Sequence, residues 1–179
     1  MDRRTSLAAI GTLASSTLFA RVLEAWSQSP APTLADWKPR ALTPEQGAMV
    51  AALADAILPE TDTPSATAAG VHVFVDLVVA ECLTAADRQA FVTGLAELDR
   101  VARTSHGGAV TALAPAARTA MLSTLEAGTP FIKTLKELVV LGYATSNIGA
   151  TQALAYDHVP GRYRGCVPLT AGQRTWATR

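Results

Sequence analysis

Cysteine is scarce in this chain, and the two that occur, Cys82 and Cys166, lie far apart in the sequence. No CxxCH motif is present for attachment of a c-type haem, and no set of four cysteines is present for zinc or an iron–sulfur cluster. In an oxidising compartment the two cysteines could form a disulfide that closes a long loop. Because Cys82 lies on an apolar helix face, separate thiols are the other alternative.

Net charge and long apolar runs are also missing. The 15 Lys and Arg residues balance the 15 Asp and Glu residues, so the formal net charge is zero. A chain without a basic surplus has no bulk attraction for nucleic acid or for an anionic membrane, and we expect no nucleic-acid partner. No segment is long enough and free enough of charge to span a bilayer.

Catalytic motifs are absent too. The sequence contains no GxSxG, HExxH, P-loop or strand-linked GxGxxG motif. The three histidines, His72, His106 and His158, fall on a helix start, a Gly-rich break and the C-terminal tail, which is not ligand spacing. We therefore predict no catalytic residue, no cofactor-binding residue and no metal ligand in this chain.

One acidic loop is the exception to consider. Glu60 and Asp62 could suggest a cation site, but calcium needs more oxygen ligands than this loop supplies. An Asx turn at Asp62, before Pro64, explains the same residues, and it is the interpretation we favour.

The N-terminus has the layout of an export signal. Arg3 and Arg4 precede a short, moderately apolar run over residues 7–20 that Arg21 closes. Paired arginines are the form read by the twin-arginine (Tat) translocase, which exports folded proteins, so we predict a Tat signal over residues 1–26 and a periplasmic location, peripheral to the inner membrane at most. An ordinary secretion signal that begins with Arg-Arg is the alternative. Cleavage after Ala20, cleavage near Ala31 and retention of the signal all remain open.

A polar, proline-containing linker is expected over residues 27–41, followed by one helical domain over 42–155. Thr43, Pro44 and Gln46 form the pattern of a capping box, which predicts a helix from Pro44 that Pro59 ends. Further helices are predicted over 71–82, from a Thr84 cap to about 105, over 115–125, and from a Thr129 cap with Pro130 first; residues 150–155 could add one turn. Apolar and polar residues do not alternate over any stretch as long as a β-strand. We therefore predict an all-α, compact bundle of about five to six helices.

The last long helix has the clearest pattern. One face carries apolar residues at helical spacing, and further apolar residues widen that face, so we expect the end of this helix to be covered nearly all round. The first set is Phe131, Leu135, Leu138, Val139 and Gly142, and the second is Ile132, Val140 and Leu141.

Residues 156–179 form an irregular tail that is too apolar and aromatic to be simply solvated. Such a segment lies against its own bundle or against another protein. Arg162 and Arg164 on either side of Tyr163 could grip a phosphate or carboxylate, but Tyr and Arg are also the residue types that dominate interface energies. We therefore predict a docking tail.

Two blocks of the sequence form long signatures. The closing block is LGYATSNIGATQ at 141–152 with YDHVPGRYRGC at 156–166, and the opening block runs from LTPEQ at 42–46 through ILPETDTP at 57–64 to AGV at 69–71. Together these blocks resemble the gluconate 2-dehydrogenase subunit 3 family. Ala144, Asn147 and His158 depart from the family's usual residues.

The resemblance implies a small subunit that binds a large, FAD-containing subunit of the glucose–methanol–choline (GMC) oxidoreductase type, which acts on a sugar or sugar acid. A c-type cytochrome subunit with haem c takes the electrons onward, and the small subunit's Tat signal carries the large subunit out of the cytoplasm. On this hypothesis this chain is a non-catalytic subunit, and the expected contact residues are Tyr143, Thr145, Asn147, Tyr156, Arg162, Tyr163 and Arg164.

Two other hypotheses remain. The tail could contribute to the substrate pocket or the electron path of the large subunit, with His158 or an arginine touching the substrate. A free-standing periplasmic enzyme or binding protein is the third, and the absence of a convergent polar set argues against it.

Overall fold

The structure is a computed structural model that describes residues 37–159, 161–162, 166 and 168–178. Arg3 and Arg4, the predicted signal segment and the linker up to residue 36 lie outside the described residues, as do Tyr163 and Arg164. The boundaries predicted for those segments stay predictions.

Five α-helices make up most of the described chain. They are α1 (Pro44–Ile57), α2 (Val71–Glu81), α3 (Ala85–His106), α4 (Pro115–Leu125) and α5 (Pro130–Thr145). A 3-10 turn (Val110–Ala112) precedes α4, and a π-helical turn (Gly149–Ala153) follows α5. The predicted all-α bundle is confirmed. None of the helices in the described part of the chain combines the length and the apolar character needed to cross a membrane.

Local capping chemistry sets where α1 and α3 begin. The Thr43 hydroxyl accepts from the Gln46 N–H at 3.2 Å, and the Gln46 side chain accepts from the Thr43 N–H at 2.9 Å, which is the predicted capping box. At α3 the Thr84 hydroxyl accepts from the Asp87 N–H at 3.2 Å. Both predicted caps are confirmed.

Thr129 is the N-cap residue of α5, as predicted, but it does not cap the helix with its side chain. Thr129 stands directly before α5 with Pro130 in the first position, but its side chain makes no capping hydrogen bond. The Ile132 N–H, which a capping hydroxyl would have satisfied, donates instead to the Thr129 carbonyl at 3.0 Å. A tight backbone turn has replaced the side-chain cap.

Helix α2 lies at the centre of the bundle, where it packs against α1 and α5. Seven of its eleven residues are buried, so it is covered on nearly every side. The core around it comes mainly from α1, α3 and α5 and includes Val50, Leu53, Leu95, Leu98, Ile132, Leu135 and Val139. A helix that is apolar almost all round is typical of such a central position.

Two aromatic rings pack against helix backbones where glycine leaves room. The ring of Phe74 on α2 lies against Gly142 on α5, and the ring of Phe131 on α5 lies against Gly94 on α3. Phe131 also meets Phe91 edge to face, with ring centroids 5.1 Å apart. These contacts fix α5 between α2 and α3.

The outer side of α5 is less covered than predicted. Ile132 is fully buried, but Val140 and Leu141 are each 51% exposed. The expectation that the end of this helix is covered nearly all round is therefore wrong for the described chain, because no described element packs over that side.

The tail contains the only strands of the described residues. β1 (Ala155–Tyr156) pairs in parallel with β2 (Trp176–Thr178), and the Ala155 N–H donates to the Thr175 carbonyl at 2.8 Å. Arg174 also donates to the Gln152 carbonyl at 2.6 Å. The end of the tail thus returns to its own bundle. Strands of two and three residues are too short to show an alternation of apolar and polar side chains in the sequence. The sequence therefore did not predict this pairing.

Candidate functional site

One apolar feature of the described surface is on α5. Lys136, Glu137, Val140, Leu141 and Ala144 line a shallow, almost wholly apolar depression, which we call the α5 outer face. The Lys136 ammonium lies 2.7 Å from a carboxylate oxygen of Glu126 at its edge. Half-exposed aliphatic side chains on a rigid helix are suited to contact with another apolar surface. Sequence periodicity had assigned Val140 and Leu141 to the core.

The predicted contact residue Tyr143 points inward. Its hydroxyl donates to the Pro64 carbonyl at 2.8 Å, and the side chain is half-buried against the core. This bond joins α5 to the loop between α1 and α2. The hydroxyl is therefore engaged within the subunit.

Thr145 and Asn147 are exposed at the end of α5. The Thr145 hydroxyl donates to the Leu141 carbonyl at 2.7 Å, and the Asn147 carbonyl accepts from the Thr151 hydroxyl at 2.7 Å. The Asn147 side chain is open to solvent. These two residues continue the exposed surface beyond the α5 outer face and remain candidates for a partner contact.

A buried serine shapes the turn that leaves α5. The Ser146 hydroxyl donates to the Tyr143 carbonyl at 2.7 Å and accepts from the Gly149 N–H at 2.8 Å. A Cβ at Gly149 would collide with the Tyr143 carbonyl oxygen, so only glycine fits there. The SNIG segment of the sequence therefore encodes this turn, which directs the chain into the tail.

The described part of the tail is largely exposed. The Tyr156 hydroxyl and His158 Nδ1 are 3.2 Å apart, and Tyr156 is 46% exposed. Val159, Leu169 and Arg162 are also open to solvent. Tyr163 and Arg164, the other members of the predicted Arg-Tyr-Arg contact, lie outside the described residues.

Cys82 and Cys166 are separate thiols in the structure. Cys82 is half-buried at the end of α2, where burial, together with the negative charge of Glu81, raises the pKa of its thiol. Cys166 is exposed in the tail. The alternative of two separate thiols is the arrangement the structure has.

The loop between α1 and α2 is held at several points. The Asp55 carboxylate accepts from the Thr67 N–H at 2.7 Å, the Ala66 N–H donates to the Leu58 carbonyl at 3.0 Å, and Ala66 is fully buried. Tyr143 holds the loop from the α5 side at Pro64, as described above. The loop is therefore fixed in spite of its irregular backbone.

The Asx turn predicted at Asp62 does not form. The Asp62 carboxylate accepts from the neighbouring Thr61 hydroxyl at 2.9 Å. Pro64, two residues further along, has no N–H to donate, so it could not close such a turn. Among the described residues no group of three or more His, Cys, Asp or Glu side chains is placed to hold a metal ion.

Sequence reasoning missed the most highly bonded buried carboxylate. Asp76 on α2 is 1% exposed and accepts from three successive backbone N–H groups, those of Arg40 at 2.7 Å, Ala41 at 3.0 Å and Leu42 at 2.9 Å. A single acidic residue inside the apolar run VHVFVDLVV was the available signal, because a buried carboxylate must find several donors.

A buried histidine lies one helical turn before Asp76. His72 is 6% exposed, its Nδ1 has no hydrogen-bond partner among the described residues, and its ring meets that of Trp37 edge to face with ring centroids 5.0 Å apart. Burial lowers the pKa of His72, and the negative charge of Asp55 opposes that shift. Burial therefore favours the neutral form of this imidazole, which lies against Trp37.

Comparison with known proteins gives one match. The family model described as Gluconate 2-dehydrogenase subunit 3 matches residues 44–161. No curated protein and no solved structure matches the chain. The matched range covers more than half of the sequence and runs from the first residue of α1 through the π-helical turn into the tail. The chain therefore belongs to the gluconate 2-dehydrogenase subunit 3 family.

Proposed function

We propose that this chain is the non-catalytic small subunit of a periplasmic, FAD-dependent sugar or sugar-acid dehydrogenase. The observation that carries the proposal is the family match over residues 44–161. The family provides one subunit of a multi-subunit dehydrogenase complex, and membership implies partner subunits. The proposed partners are a GMC-type large subunit that holds the FAD and performs the oxidation, and a c-type cytochrome that accepts the electrons.

The proposed task of the small subunit is export. Arg3 and Arg4 precede a short, weakly apolar run, as in signals that the Tat translocase reads. This translocase moves folded proteins, so one signal can serve two chains that fold and bind in the cytoplasm. A subunit that binds only the folded, FAD-loaded partner also stabilises that state by mass action.

The surface proposed for the large subunit is the α5 outer face together with the exposed residues that follow it. Val140 and Leu141 offer aliphatic area on a rigid helix, and Thr145 and Asn147 extend the surface toward the tail. Tyr156 and Arg162 add residue types that are enriched among the positions that dominate binding energy.

The experiment that tests the proposal replaces Arg3 and Arg4 together by lysine and measures dehydrogenase activity in the periplasm and the cytoplasm. We expect both subunits to remain in the cytoplasm. The matched control is Arg21→Lys, the same substitution elsewhere in the N-terminal region, which leaves export unchanged. Normal periplasmic activity in the double variant would refute the escort role. A tagged chain should also recover a protein with a flavin absorbance spectrum, and recovery of the chain alone would refute the subunit role.

A further inference from the structure

The chain before α1 is attached to α2 by its backbone. Three successive N–H groups, from Arg40 to Leu42, converge on the buried carboxylate of Asp76. Hydrogen bonds from N–H groups to an ionised carboxylate are stronger than those between neutral groups. A carboxylate that is 1% exposed needs several of them to offset its lost hydration. These three hydrogen bonds therefore depend on one side chain, that of Asp76.

A second contact holds the same segment closer to the N-terminus, at Trp37. The Trp37 ring packs against Gly47 of α1, where a Cβ would collide with it, and against the ring of His72 on α2. Arg40 adds an exposed ion pair with Glu81 at 3.7 Å. Because Trp37 touches both α1 and α2, its binding site exists only when these two helices are packed together.

We propose that Asp76 and Trp37 form a folding-dependent attachment, the N-terminal clasp, that protects the junction between the export segment and the bundle from proteolysis. In the folded subunit residues 37–42 are held against α1 and α2, and in an unfolded chain they are open to cleavage. A folded subunit thus keeps residues 37–42 uncut, whereas an unfolded one can be cleaved within them. Removal of the segment after export is confined to positions before Trp37. The protective part of this inference rests on the proposed export role.

The attachment itself is tested by hydrogen exchange on the full-length purified chain. In Asp76→Asn the amides of Arg40, Ala41 and Leu42 should exchange at least about tenfold faster, since the net strength of a hydrogen bond to a charged group corresponds to about that factor or more. Asp62→Asn is the matched control, since Asp62 is exposed and its carboxylate accepts from the neighbouring Thr61 hydroxyl. Unchanged exchange of these three amides in Asp76→Asn would overturn the clasp.

A second variant covers the case in which Asp76→Asn unfolds the bundle. Trp37→Ala removes the ring contact and leaves the buried carboxylate intact, so the helices should be retained while the same three amides lose protection. Retained protection in Trp37→Ala would show that the ring is no part of the attachment and would overturn the clasp as proposed.

The protective role is tested in cells by measuring the N-terminal mass of the chain. The wild-type chain recovered after export should begin at or before Trp37, and Asp76→Asn should yield fragments that begin between residues 38 and 43. A wild-type chain that begins after Trp37 would overturn the role. If the Arg3 and Arg4 test shows that export does not depend on this chain, the exchange experiment still decides whether the clasp exists.

Discussion

The ring of Phe74 on α2 lies so close to Gly142 on α5 that a Cβ added at Gly142 would be 2.6 Å from the ring's Cδ1. Phe74 is 7% exposed and is surrounded by core residues, so its ring has little room to move away. The two helices thus approach each other at a distance that only glycine allows.

Gly142→Ala should destabilise the bundle. Overpacking of a filled core costs about 1–3 kcal/mol, and over most of that range the cost exceeds the gain of about 1 kcal/mol from replacing glycine by alanine within a helix. The measurement is the free energy of unfolding from urea denaturation. Gly128→Ala is the control, because an added Cβ there meets nothing within 4 Å. Equal free energies of unfolding for Gly142→Ala and Gly128→Ala would show that α2 and α5 can move apart without loss of stability.

Tyr143→Phe tests whether the hydroxyl of Tyr143 stabilises the fold or contributes to binding of the large subunit. Loss of the hydrogen bond to the Pro64 carbonyl should lower the free energy of unfolding by about 0.5–1.5 kcal/mol, with no change in affinity for the large subunit. Tyr156→Phe is the control, since the hydroxyl of Tyr156 pairs with an exposed His158 and should contribute little to stability. Weaker partner binding by Tyr143→Phe at unchanged stability would instead favour the contact role.

Leu141→Asp tests the α5 outer face. A carboxylate placed on a half-exposed aliphatic position that becomes buried on docking should weaken binding to the large subunit about fivefold or more, since the interface residues that matter for binding each cost more than about 1 kcal/mol when they are altered. Affinity is measured by biolayer interferometry on the purified subunits, and circular dichroism verifies the helices.

The control for this variant is Ala96→Asp, which adds the same charge to an exposed position of α3. We expect it to bind as the wild type does. If Leu141→Asp binds equally well, the large subunit does not contact this part of α5.

His72 makes stability depend on pH in a direction that follows from its burial. Its pKa is lowered from the ordinary value of 6.5, so the folded chain holds the ring neutral while the unfolded chain takes up a proton as the pH falls below about that value. Stability contributed by the neutral ring is complete above pH 6.5 and declines as the pH falls further.

His72→Phe keeps an aromatic ring beside Trp37 and removes the titration, so it should flatten the decline of the unfolding temperature between pH 7 and 5. His106→Gln, at the exposed end of α3, should leave the decline as it is in the wild type. If His72→Phe declines as steeply as the wild type, another group is responsible.

The sequence predicted the parts of the fold that depend on neighbouring residues. The capping box at Thr43 and the cap at Thr84 follow from side chains three residues apart, and the observed bounds of α1 and α4 follow from Pro44 and Pro115 at the first positions. Such features need no knowledge of what lies across the bundle, which explains why these bounds were right.

What could not be predicted depends on residues far apart in the chain. The three amides bound by Asp76 are 34–36 positions away, and Tyr143 bonds to a carbonyl 79 positions away. Val140 and Leu141 are exposed because no described element packs over that side of α5. Helical periodicity shows that a face is apolar, but it does not show whether another element covers that face. The partner contact predicted for Tyr143 stays a prediction, and the structure adds that the hydroxyl of Tyr143 bonds within the subunit.

The connection between α1 and α2 is fastened by Asp55 and Tyr143 from two sides, while the acidic residues Glu60 and Asp62 at its tip stay open to solvent. An irregular loop usually loses conformational entropy when another molecule binds it, and that loss lowers the affinity. Here the ordering has already taken place during folding. A cationic surface that approached Glu60 and Asp62 would meet them on a rigid support, and it would lose little entropy in binding them.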